Sequence, residues 1–407
     1  MGRTLLWILA CASIVLLAYE ATTLIGSVLG PLIANPQALQ TDFHYYYEAA
    51  RRFSGDRGRL YSMSDDVIAG FAYPPPAIIP FLLLSAWPLG TALLAFTIAS
   101  YLVLIASLKQ WIGYLARHGM TVDRNGTIAI MLIALALGPT YMNAVFGQVN
   151  AFVLAAAVAF VCLAPTRVFE AAALLALGIW LKIYPIVLAA IALWDRRTWR
   201  ALAWTAAALA AVGLMTMAIV PYREFESFFL EVLPARGDKT AIHIVNQSLL
   251  AFLERFRHRP ELFLNWTGHE AVTVSPVLRS VNACFAALAV VFIWKGPRSG
   301  AVKAACLIAL VAVIAPLGWG HTYVMVLPLV VIHLLALKDA PPLTSAVICL
   351  AVTAFTVPAG RHLPIDMAPD WLENVVYSRY LIATIALMLI TFPRGRTTES
   401  APVISSA

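Results

Sequence analysis

The chain has 407 residues, of which 61% are hydrophobic and only 12% are charged, and its mean hydropathy is +0.82. A soluble protein of this length needs far more charge to cover its surface, so the composition excludes a soluble fold and indicates a polytopic membrane protein. The formal net charge of +7 sits in short clusters at the ends of apolar segments, which is typical of cytoplasmic loops rather than of a nucleic-acid-binding surface. The cysteines fall inside apolar stretches without a CxxC pair, which favours small buried hydrophobes over a metal or redox site.

Apolar segments recur from one end of the chain to the other. The predicted segments are 4–33, 75–87, 89–108, 126–142, 149–164, 168–181, 185–194, 199–220, 277–295, 301–318, 322–337, 342–358 and 378–393. Several are only about 10 to 15 residues long, too short to cross a bilayer alone, and are predicted to be broken or re-entrant helices around a cavity. The predicted breaks are Pro88, Gly138-Pro139, Pro185 and Pro316-Leu317-Gly318. The expected fold is therefore all-α and polytopic, with about 10 to 13 transmembrane or re-entrant helices.

Clusters of basic residues orient the chain, because cytoplasmic loops carry an excess of Lys and Arg. The clusters that predict a cytoplasmic position are Arg3, Asp195 to Arg200, Lys295 to Lys303, Lys338 and Arg394 to Arg396. This orientation places the two largest loops, 35–73 and 221–275, on the external side together with His321. Lys109, Arg117 and Arg124 also predict a cytoplasmic loop, whereas strict alternation from the first span makes that loop external, so the topology near 75–125 stays open. Residues 1–395 are predicted to form a single integral-membrane domain, followed by a disordered cytoplasmic tail over 396–407.

The first external loop carries an acid at the start of a predicted helix. The apolar residues at helical spacing in this stretch are Phe43, Tyr46, Tyr47, Ala50 and Phe53. This pattern predicts an amphipathic helix suited to lying in the membrane interface. Asp42 precedes the helix, where an N-cap residue would accept a backbone N–H. A carboxylate at a hydrocarbon boundary is also partly desolvated, which raises its pKa and makes it a stronger base, so a cap and a catalytic role both stand.

Two pairs of amide side chains interrupt the apolar pattern. Gln148 and Asn150 follow the predicted break at Gly138-Pro139, and Asn246 and Gln247 precede a short apolar stretch in the second external loop. Amides can hydrogen-bond sugar hydroxyls, which makes all four candidates for sugar or acceptor binding. They can equally satisfy the free backbone groups of a broken helix or cap a loop helix, so both interpretations stay open.

Lys182 stands between two apolar half-helices, far from the charged clusters. A lysine within the membrane is energetically expensive and by default indicates a functional site whose natural partner is an anion. The phosphate of a lipid carrier fits that description, and Pro185 breaks the helix at this point. The alternative is that the long side chain extends to the aqueous interface.

An external helix end has the sequence Gly318-Trp319-Gly320-His321-Thr322-Tyr323. His321 is a candidate proton carrier or hydrogen-bond donor to a phosphate, although a lone interfacial histidine is often structural. Trp319 and Tyr323 offer faces on which a sugar ring can stack, although Trp and Tyr also form ordinary membrane belts.

Six motifs, taken in chain order, resemble those of glycosyltransferase family 87. They are Asp-Phe-x-x-Tyr-Tyr-x-Ala-Ala-Arg from Asp42, Tyr-Pro-Pro from Tyr73, Gly-Gln-Val-Asn from Gly147, Lys-x-x-Pro from Lys182, Asn-Gln-Ser from Asn246 and Trp-x-His-x-Tyr from Trp319. Each motif is modest alone, whereas the series is fairly specific. The resemblance implies the GT-C membrane fold and a polyprenyl-phosphate-mannose-dependent mannosyltransferase.

The resemblance also implies roles for individual residues. In such enzymes an acid of the first external loop acts as the base toward the acceptor hydroxyl, a position that corresponds to Asp42, and inversion converts a β-linked donor into an α-linked product. Lys182 and His321 would lie near the departing donor phosphate. The residues that motif position and polarity place at the sugar or the acceptor are His44, Tyr46, Tyr73, Gln148, Asn150, Tyr184, Asn246, Gln247, Trp319 and Tyr323.

The predicted setting is the bacterial inner membrane, with the active site on the external or periplasmic side. The predicted partners are membrane lipids, a polyprenyl-phosphate-linked sugar donor and a glycolipid or glycan acceptor, with no nucleic acid. No cofactor is predicted, and the external acids do not show the spacing of a metal site. Two competing functions stand beside the glycosyltransferase. One is a lipid-linked-sugar flippase or secondary transporter, where broken helices and midplane charges also occur, and the other is a structural assembly factor.

Overall fold

The computed structural model describes residues 2–30, 41–56, 59–61, 70–264, 271–296, 299–361 and 369–391. Most of these residues are helical, and the described part of the chain contains a single two-stranded sheet. The all-α fold class is therefore confirmed. The predicted tail over 396–407 lies outside the described residues, as do 35–40 and 62–69 of the first external loop.

The helices of the first half are α1 (Gly2–Leu24, continued by a π-helical turn at Ile25–Leu29), α2 (Asp42–Asp56), a 3₁₀ turn (Pro75–Ile78) leading into α3 (Ile79–Leu84), α4 (Leu89–Arg117), α5 (Arg124–Leu135), α6 (Gly138–Val145), α7 (Asn150–Leu163), α8 (Val168–Leu181), a 3₁₀ helix (Tyr184–Leu193) and α9 (Thr198–Met217). The second half contains α10 (Tyr222–Ser227), a π-helical turn (Phe228–Val232), α11 (Leu233–Gly237), β1 (Lys239–Ala241), α12 (Leu249–Arg255), α13 (Pro260–Leu264), β2 (Ala271–Thr273), α14 (Pro276–Lys295), α15 (Gly300–Ile314), a 3₁₀ helix (Gly320–Val326), α16 (Leu327–Ala336), a 3₁₀ turn (Leu337–Asp339), α17 (Pro342–Thr356), α18 (Asp370–Tyr377) and α19 (Arg379–Thr391).

Five helices among the described residues are long and apolar enough to cross a membrane alone. They are Gly2–Val28, Leu89–Arg117, Thr198–Met217, Pro276–Lys295 and Gly320–Asp339. The bent pairs α5–α6 and α18–α19, at 54° and 66°, raise the number to seven if each pair is one span. The shorter apolar helices have 10–17 residues, below the roughly 20 that a span needs. The chain is thus a polytopic membrane protein in which short and broken helices accompany full spans, as the segment lengths predict.

The predicted breaks all fall at helix ends. Pro88 immediately precedes α4, and Gly138-Pro139 begins α6. Pro185 occupies the first turn of the 3₁₀ helix that follows Lys182, and the chain passes Pro316 to Gly318 between α15 and the 3₁₀ helix at Gly320. Proline lacks an N–H and clashes with the preceding turn, so these residues end or redirect the helices.

The centre of the bundle is formed by α15 and the helical segment Gly320–Asp339. Residues 304–313 are all buried, as are residues 320–335. The span α14 contrasts with them, because its apolar side chains Val277 and Leu288 are 70% and 69% exposed. Apolar side chains exposed on a peripheral span are expected where lipid tails replace water.

Helix α2 begins at Asp42, so Asp42 is its first residue and does not precede the helix as the sequence pattern predicts. Its apolar face, with Phe43 and Tyr46, is buried, and the Phe43 ring lies 6.0 Å from Phe81 and 5.2 Å from Phe96 between centroids. This face packs against α3 and α4 within the protein. Helical periodicity alone does not distinguish a lipid surface from a protein surface, so it locates the helix but not its neighbour.

The two largest loops, 35–73 and 221–275, are tied to each other by a buried carboxylate. Glu224 of α10 is only 2% exposed, and its Oε2 accepts a hydrogen bond from the Leu60 backbone N–H at 2.9 Å. Beside this contact the Tyr61 and Phe228 rings lie 5.9 Å apart, and the Tyr61 hydroxyl donates to the Tyr73 carbonyl at 2.6 Å. The stretch from α10 to α11 is therefore fixed against the first loop.

Candidate active site

A cavity of about 560 Å³ opens where the loops 35–73 and 221–275 meet the broken helices. Polar and charged side chains from six separate parts of the chain line it, namely Asp42, Tyr73, Gln148, Lys182, Arg236 and His321. Apolar and aromatic side chains form the remaining wall. A mainly apolar cavity of this size with a few convergent polar groups is typical of a small-molecule or cofactor-sized site.

Asp42 presents its carboxylate to this cavity from the first residue of α2. Its side chain is 34% exposed, and Oδ2 accepts a hydrogen bond from Gln148 Nε2 at 2.5 Å. Among the described residues Oδ1 makes no hydrogen bond. Burial raises the pKa of the Asp42 carboxyl, and the hydrogen bond from Gln148 and the charges of Lys182 and Arg236 oppose that rise. The carboxyl therefore has one oxygen committed to the protein and one available to a ligand.

The Gly-Gln-Val-Asn motif brings Gln148 to Asp42 through a left-handed turn. Gly147 has φ +62°, and a Cβ at this position would lie 2.5 Å from the Cβ of Phe43. The Phe43 N–H also donates to the Phe146 carbonyl at 3.0 Å. Only glycine adopts this backbone conformation without strain and leaves space for the neighbouring helix, so the turn docks the Gln148 segment directly on the start of α2.

Lys182 enters the cavity at the point where α8 ends. Its backbone is extended, with φ −162° and ψ 123°, between the end of α8 at Leu181 and the start of the 3₁₀ helix at Tyr184. Its side chain is buried and donates to Asn150 Oδ1 at 3.0 Å and toward Gln148 Oε1 at 3.5 Å. Nζ also lies 5.5 Å from the Tyr73 ring centroid and 5.2 Å from that of Tyr184. These contacts suit a desolvated cation.

His321 lies between Asp42 and Asn150. Its Nε2 is 3.6 Å from Asp42 Oδ2, and its Nδ1 is 2.9 Å from Asn150 Nδ2. The same Asn150 nitrogen donates to the His321 carbonyl at 3.2 Å. Asn150 is 1% exposed and lies behind Lys182 and His321 rather than in the cavity lining.

An aromatic wall completes the polar side of the cavity. The hydroxyls of Tyr46 and Tyr73 are 2.6 Å apart, and the Tyr73 hydroxyl donates to Gln148 Oε1 at 3.1 Å. Tyr184 and Trp319 line the cavity as well. These side chains provide both flat faces and hydroxyl groups, which is what sugar recognition requires.

Arg236 of α11 lines the same cavity, although the sequence patterns do not single it out. It is one of several arginines in the loop 221–275, and nothing in its local sequence distinguishes it from Arg223 or Arg257. Burial lowers the pKa of Arg236, whereas the neighbouring tyrosines Tyr73 and Tyr184 oppose that shift. The guanidinium remains charged at neutral pH, so Arg236 is a second basic side chain in the cavity beside Lys182.

The predicted residues Asn246 and Gln247 do not line the cavity. Asn246 Nδ2 donates to the Ala241 carbonyl at 2.9 Å, and Gln247 Nε2 donates to the Tyr377 carbonyl at 2.6 Å. Both side chains are completely buried, so their amides satisfy the backbone of the loop. Their main chain nevertheless supports the site, since the Gln247 N–H donates to the Gly318 carbonyl at 2.8 Å, next to Trp319.

Two further predicted residues also lie outside the cavity lining. Tyr323 is buried, and its hydroxyl donates to the Gln247 carbonyl at 2.5 Å. The His44 ring contacts the Tyr45 ring, 6.3 Å between centroids, and Tyr45 itself lines the cavity. Within the described ranges, no three His, Cys, Asp or Glu side chains are placed to hold a metal ion.

The chain matches a known family over the region that carries most of this cavity. The model of glycosyltransferase family 87 matches residues 71–316, a stretch that includes Tyr73, Gln148, Lys182 and Arg236. No curated protein matches the chain. Since the family match covers more than half of a helical, membrane-spanning chain, the protein belongs to glycosyltransferase family 87 and is a membrane glycosyltransferase.

Proposed function

We propose that the protein transfers a sugar, taken to be mannose, from a polyprenyl-phosphate donor to a hydroxyl of an envelope glycolipid or polysaccharide. The observation that carries the proposal is the placement of one carboxylate and two cations around a single cavity. An acceptor hydroxyl needs a base, and a phosphate leaving group needs positive charge. Asp42 would supply the first, and Lys182 and Arg236 the second.

In the proposed reaction Asp42 acts as the general base. Its Oδ1 accepts the proton of the acceptor hydroxyl while the acceptor oxygen forms a bond to the anomeric carbon of the sugar. The bond between that carbon and the phosphate oxygen breaks, and its electron pair leaves with the polyprenyl phosphate. A single displacement inverts the anomeric centre, so a β-linked donor gives an α-linked product. The raised pKa of the Asp42 carboxyl supports this role, because a desolvated carboxylate is a stronger base.

Lys182 and Arg236 would stabilise the charge that develops on the departing phosphate. Preorganised cations in a site with little water stabilise such charge far more strongly than they would in bulk solvent. The two residues differ in shape, since a guanidinium can bind a phosphate with two parallel hydrogen bonds, whereas an ammonium acts as a compact point charge. Gln148, Tyr46, Tyr73, Tyr184 and Trp319 would contact the sugar or the acceptor, as would Tyr45.

The surface beside Arg236 supports a lipid-linked donor. In the helical stretch that leads to Arg236, Phe229 is 45% exposed, Leu230 is 69% exposed and Leu233 is 40% exposed. Leu233 also lines the cavity. An apolar surface that continues into a cationic cavity suits a molecule with a hydrocarbon chain and a phosphate head. We place the cavity on the external side of the bacterial inner membrane, because it is built from the loops opposite the basic clusters.

The test is sugar transfer by purified protein in liposomes, with radiolabelled polyprenyl-phosphate mannose and extracted envelope glycolipids. The Asp42→Asn and Asp42→Ala variants are compared with wild type, and Glu226→Gln, an exposed acid in the second external loop, is the matched control. We expect both Asp42 variants to lose transfer and the control to keep it. Full transfer by both Asp42 variants would overturn the proposed base.

The same assay distinguishes the enzyme from a flippase or transporter. A flippase moves the lipid-linked sugar across the bilayer, and no glycosylated product forms unless a second enzyme is added. The anomeric configuration of any product, read by NMR, then tests inversion separately. Mass spectrometry of the envelope glycolipids of a deletion strain identifies the acceptor and the sugar, and a missing sugar other than mannose would correct the donor.

A further inference from the structure

We infer that Asn150 is a positioning residue that holds His321 as the neutral tautomer with its proton on Nε2, directed at the Asp42 carboxylate. The inference rests on the proposed role of Asp42 as the base. It assigns Asn150 and His321 to the orientation of that base, rather than to sugar binding and phosphate binding.

The first step is the orientation of the Asn150 amide. Its two ends resemble each other in shape, so the hydrogen-bond partners must decide which end is the nitrogen. One end lies 3.2 Å from the His321 carbonyl oxygen, which can only accept a hydrogen bond. The other end lies 3.0 Å from the Lys182 ammonium, which can only donate. Both contacts place the nitrogen at His321 and the oxygen at Lys182.

The second step follows for the imidazole. The Asn150 nitrogen also lies 2.9 Å from His321 Nδ1. An amide nitrogen is a donor only, so Nδ1 must be the acceptor and cannot carry a proton. A neutral imidazole with an unprotonated Nδ1 has its proton on Nε2. That nitrogen is 3.6 Å from Asp42 Oδ2, and catalytic contacts of this length often tighten when a substrate binds.

The third step concerns the carboxylate. Gln148 Nε2 already donates to Oδ2, so both protein donors meet the same oxygen of Asp42. Oδ1 is left for the acceptor hydroxyl. In this arrangement His321 cannot remove a proton through Nε2, because that atom already carries one. The imidazole instead orients the carboxylate, and the buried Lys182 sets the direction of the whole chain of hydrogen bonds through Asn150.

The tautomer can be read by ¹⁵N NMR of purified full-length protein in detergent, labelled at histidine. The chain has eight histidines, so the signals of His321 are identified by their loss in His321→Gln and by their shift in Asp42→Asn. We expect a protonated Nε2 and an unprotonated Nδ1 in the wild type. In Asn150→Asp the carboxylate would accept from Nδ1, and we expect a proton to appear there. A protonated Nδ1 in the wild type, or an unchanged spectrum in Asn150→Asp, would overturn the inference.

Kinetics give a second readout. We expect Asn150→Asp to lower kcat by about 10- to 100-fold, by analogy with the loss of a partner that orients a metal-bound histidine, with little change in the KM for the donor. Asn282→Asp is the control, since Asn282 bonds to the Ile314 carbonyl away from the cavity. If the NMR result holds while Asp42→Asn keeps full activity, the proposed base is wrong and the tautomer assignment stands. If Asp42→Asn is inactive while the wild type carries a proton on Nδ1, only the role of Asn150 is wrong.

Discussion

Two buried polar clusters in this apolar chain differ in how completely their polar groups are hydrogen-bonded within the protein. The cavity cluster comprises Asp42, Gln148, Asn150, Lys182 and His321. The arginine cluster comprises Asn246, Gln247, Arg255, Asn374 and Ser378. Both are assembled from segments that are distant in the sequence, and both contain amides beside a buried cation.

The polar side chains of the arginine cluster are hydrogen-bonded within the protein. Arg255 Nε donates to Asn374 Oδ1 at 2.7 Å, Nη1 donates to the Asn246 carbonyl at 2.9 Å, and Nη2 donates to Ser378 Oγ at 2.7 Å. Gln247 is equally engaged, since its Oε1 accepts from the Tyr380 N–H at 3.1 Å. Every group that loses water here gains a partner in the protein, which is the condition under which a buried polar network stabilises a fold.

The cavity cluster is incomplete by comparison. Asp42 Oδ1 has no hydrogen-bond partner among the described residues, and Lys182 lines a space large enough for a ligand. An incomplete polar network costs stability in the absence of substrate. The arginine cluster is therefore expected to stabilise the fold, and the cavity cluster to bind substrate. Substitutions in each cluster can test this difference.

The largest expected effect is on catalysis at Asp42. Replacement of Asp42 by Asn should lower kcat by about 10²- to 10⁴-fold, because the base is lost while its shape is kept. The temperature of thermal unfolding should not fall. A raised carboxyl pKa in the folded state means that ionisation is disfavoured there, so removing the charge at neutral pH is neutral or stabilising. A loss of stability in parallel with the loss of activity would mean that Asp42 holds the fold, as the arginine cluster does.

Arg255→Met should show the reverse. It leaves several buried acceptors without a donor, so the free energy of unfolding should fall by roughly 2–4 kcal/mol, measured by thermal unfolding in detergent. The activity of each correctly folded molecule should stay near wild type. Arg259→Met is the control, since Arg259 is an exposed arginine of the same loop and its replacement should change the free energy of unfolding by no more than about 0.5 kcal/mol. Equal destabilisation by the two variants would contradict the assignment.

The two cations should differ in what they change. Arg236→Met removes a guanidinium from the cavity, so kcat/KM for the donor should fall by about 10- to 100-fold, the value of a charge-assisted hydrogen bond. Arg236→Lys should restore part of the loss. Lys182→Met should lower kcat/KM at least as far, because Lys182 also holds Asn150 and Gln148. Steady-state kinetics with varied donor concentration separates these results, and an Arg236→Met enzyme with normal kinetics would remove Arg236 from the site.

The pH dependence of transfer offers a finer comparison. Asp42 must be ionised to act as a base, so kcat should decrease as the pH falls through its raised pKa. Because burial raises this pKa while the Gln148 hydrogen bond lowers it, Gln148→Leu should move the acid limb to higher pH. Gln247→Leu, in the arginine cluster, should leave the position of the limb unchanged. A downward shift in Gln148→Leu would mean that the titrating group is not Asp42.

The smallest expected effect is at Tyr323. Its hydroxyl donates to the Gln247 carbonyl and does not reach the cavity. Tyr323→Phe should therefore cost about 1 kcal/mol of stability and leave the transfer kinetics unchanged. Tyr73→Phe is the informative partner, because its hydroxyl bonds Gln148 within the cavity, and we expect its kinetics to change. A change in donor KM in Tyr323→Phe would place Tyr323 in the site after all.

Much of the fold follows from local chemistry that a sequence displays. Apolar segments, their lengths and the positions of Pro88, Pro139 and Pro185 predict the helices and their breaks, because these depend on neighbouring residues alone. The helical spacing after Asp42 predicts α2 in the same way. What packs against α2 was not predictable, since the contact of Phe43 with Phe96 joins segments far apart in the chain.

The site was predicted in part for the same reason. Lys182 and His321 stand out because a charged or titratable group in an apolar stretch is costly and conspicuous. Arg236 does not stand out, because arginines are common in loops and only the fold shows that this one lines the cavity. The amides Gln148 and Gln247 look alike in the sequence, yet one meets Asp42 and the other meets backbone carbonyls. Their difference depends on tertiary contacts that local sequence does not reveal.

The left-handed turn at Gly147 bears on how this enzyme can be re-engineered. Any other residue there would need a rare backbone conformation and would press on Phe43, in the first turn of the helix that carries Asp42. In a mutant library aimed at new sugars, substitutions at position 147 should therefore lower activity, because they would displace Asp42. Tyr45 and Trp319 lie on the cavity wall without that constraint. Substitutions of Tyr45 and Trp319 are therefore better suited to changing the substrate range than substitutions of Gly147.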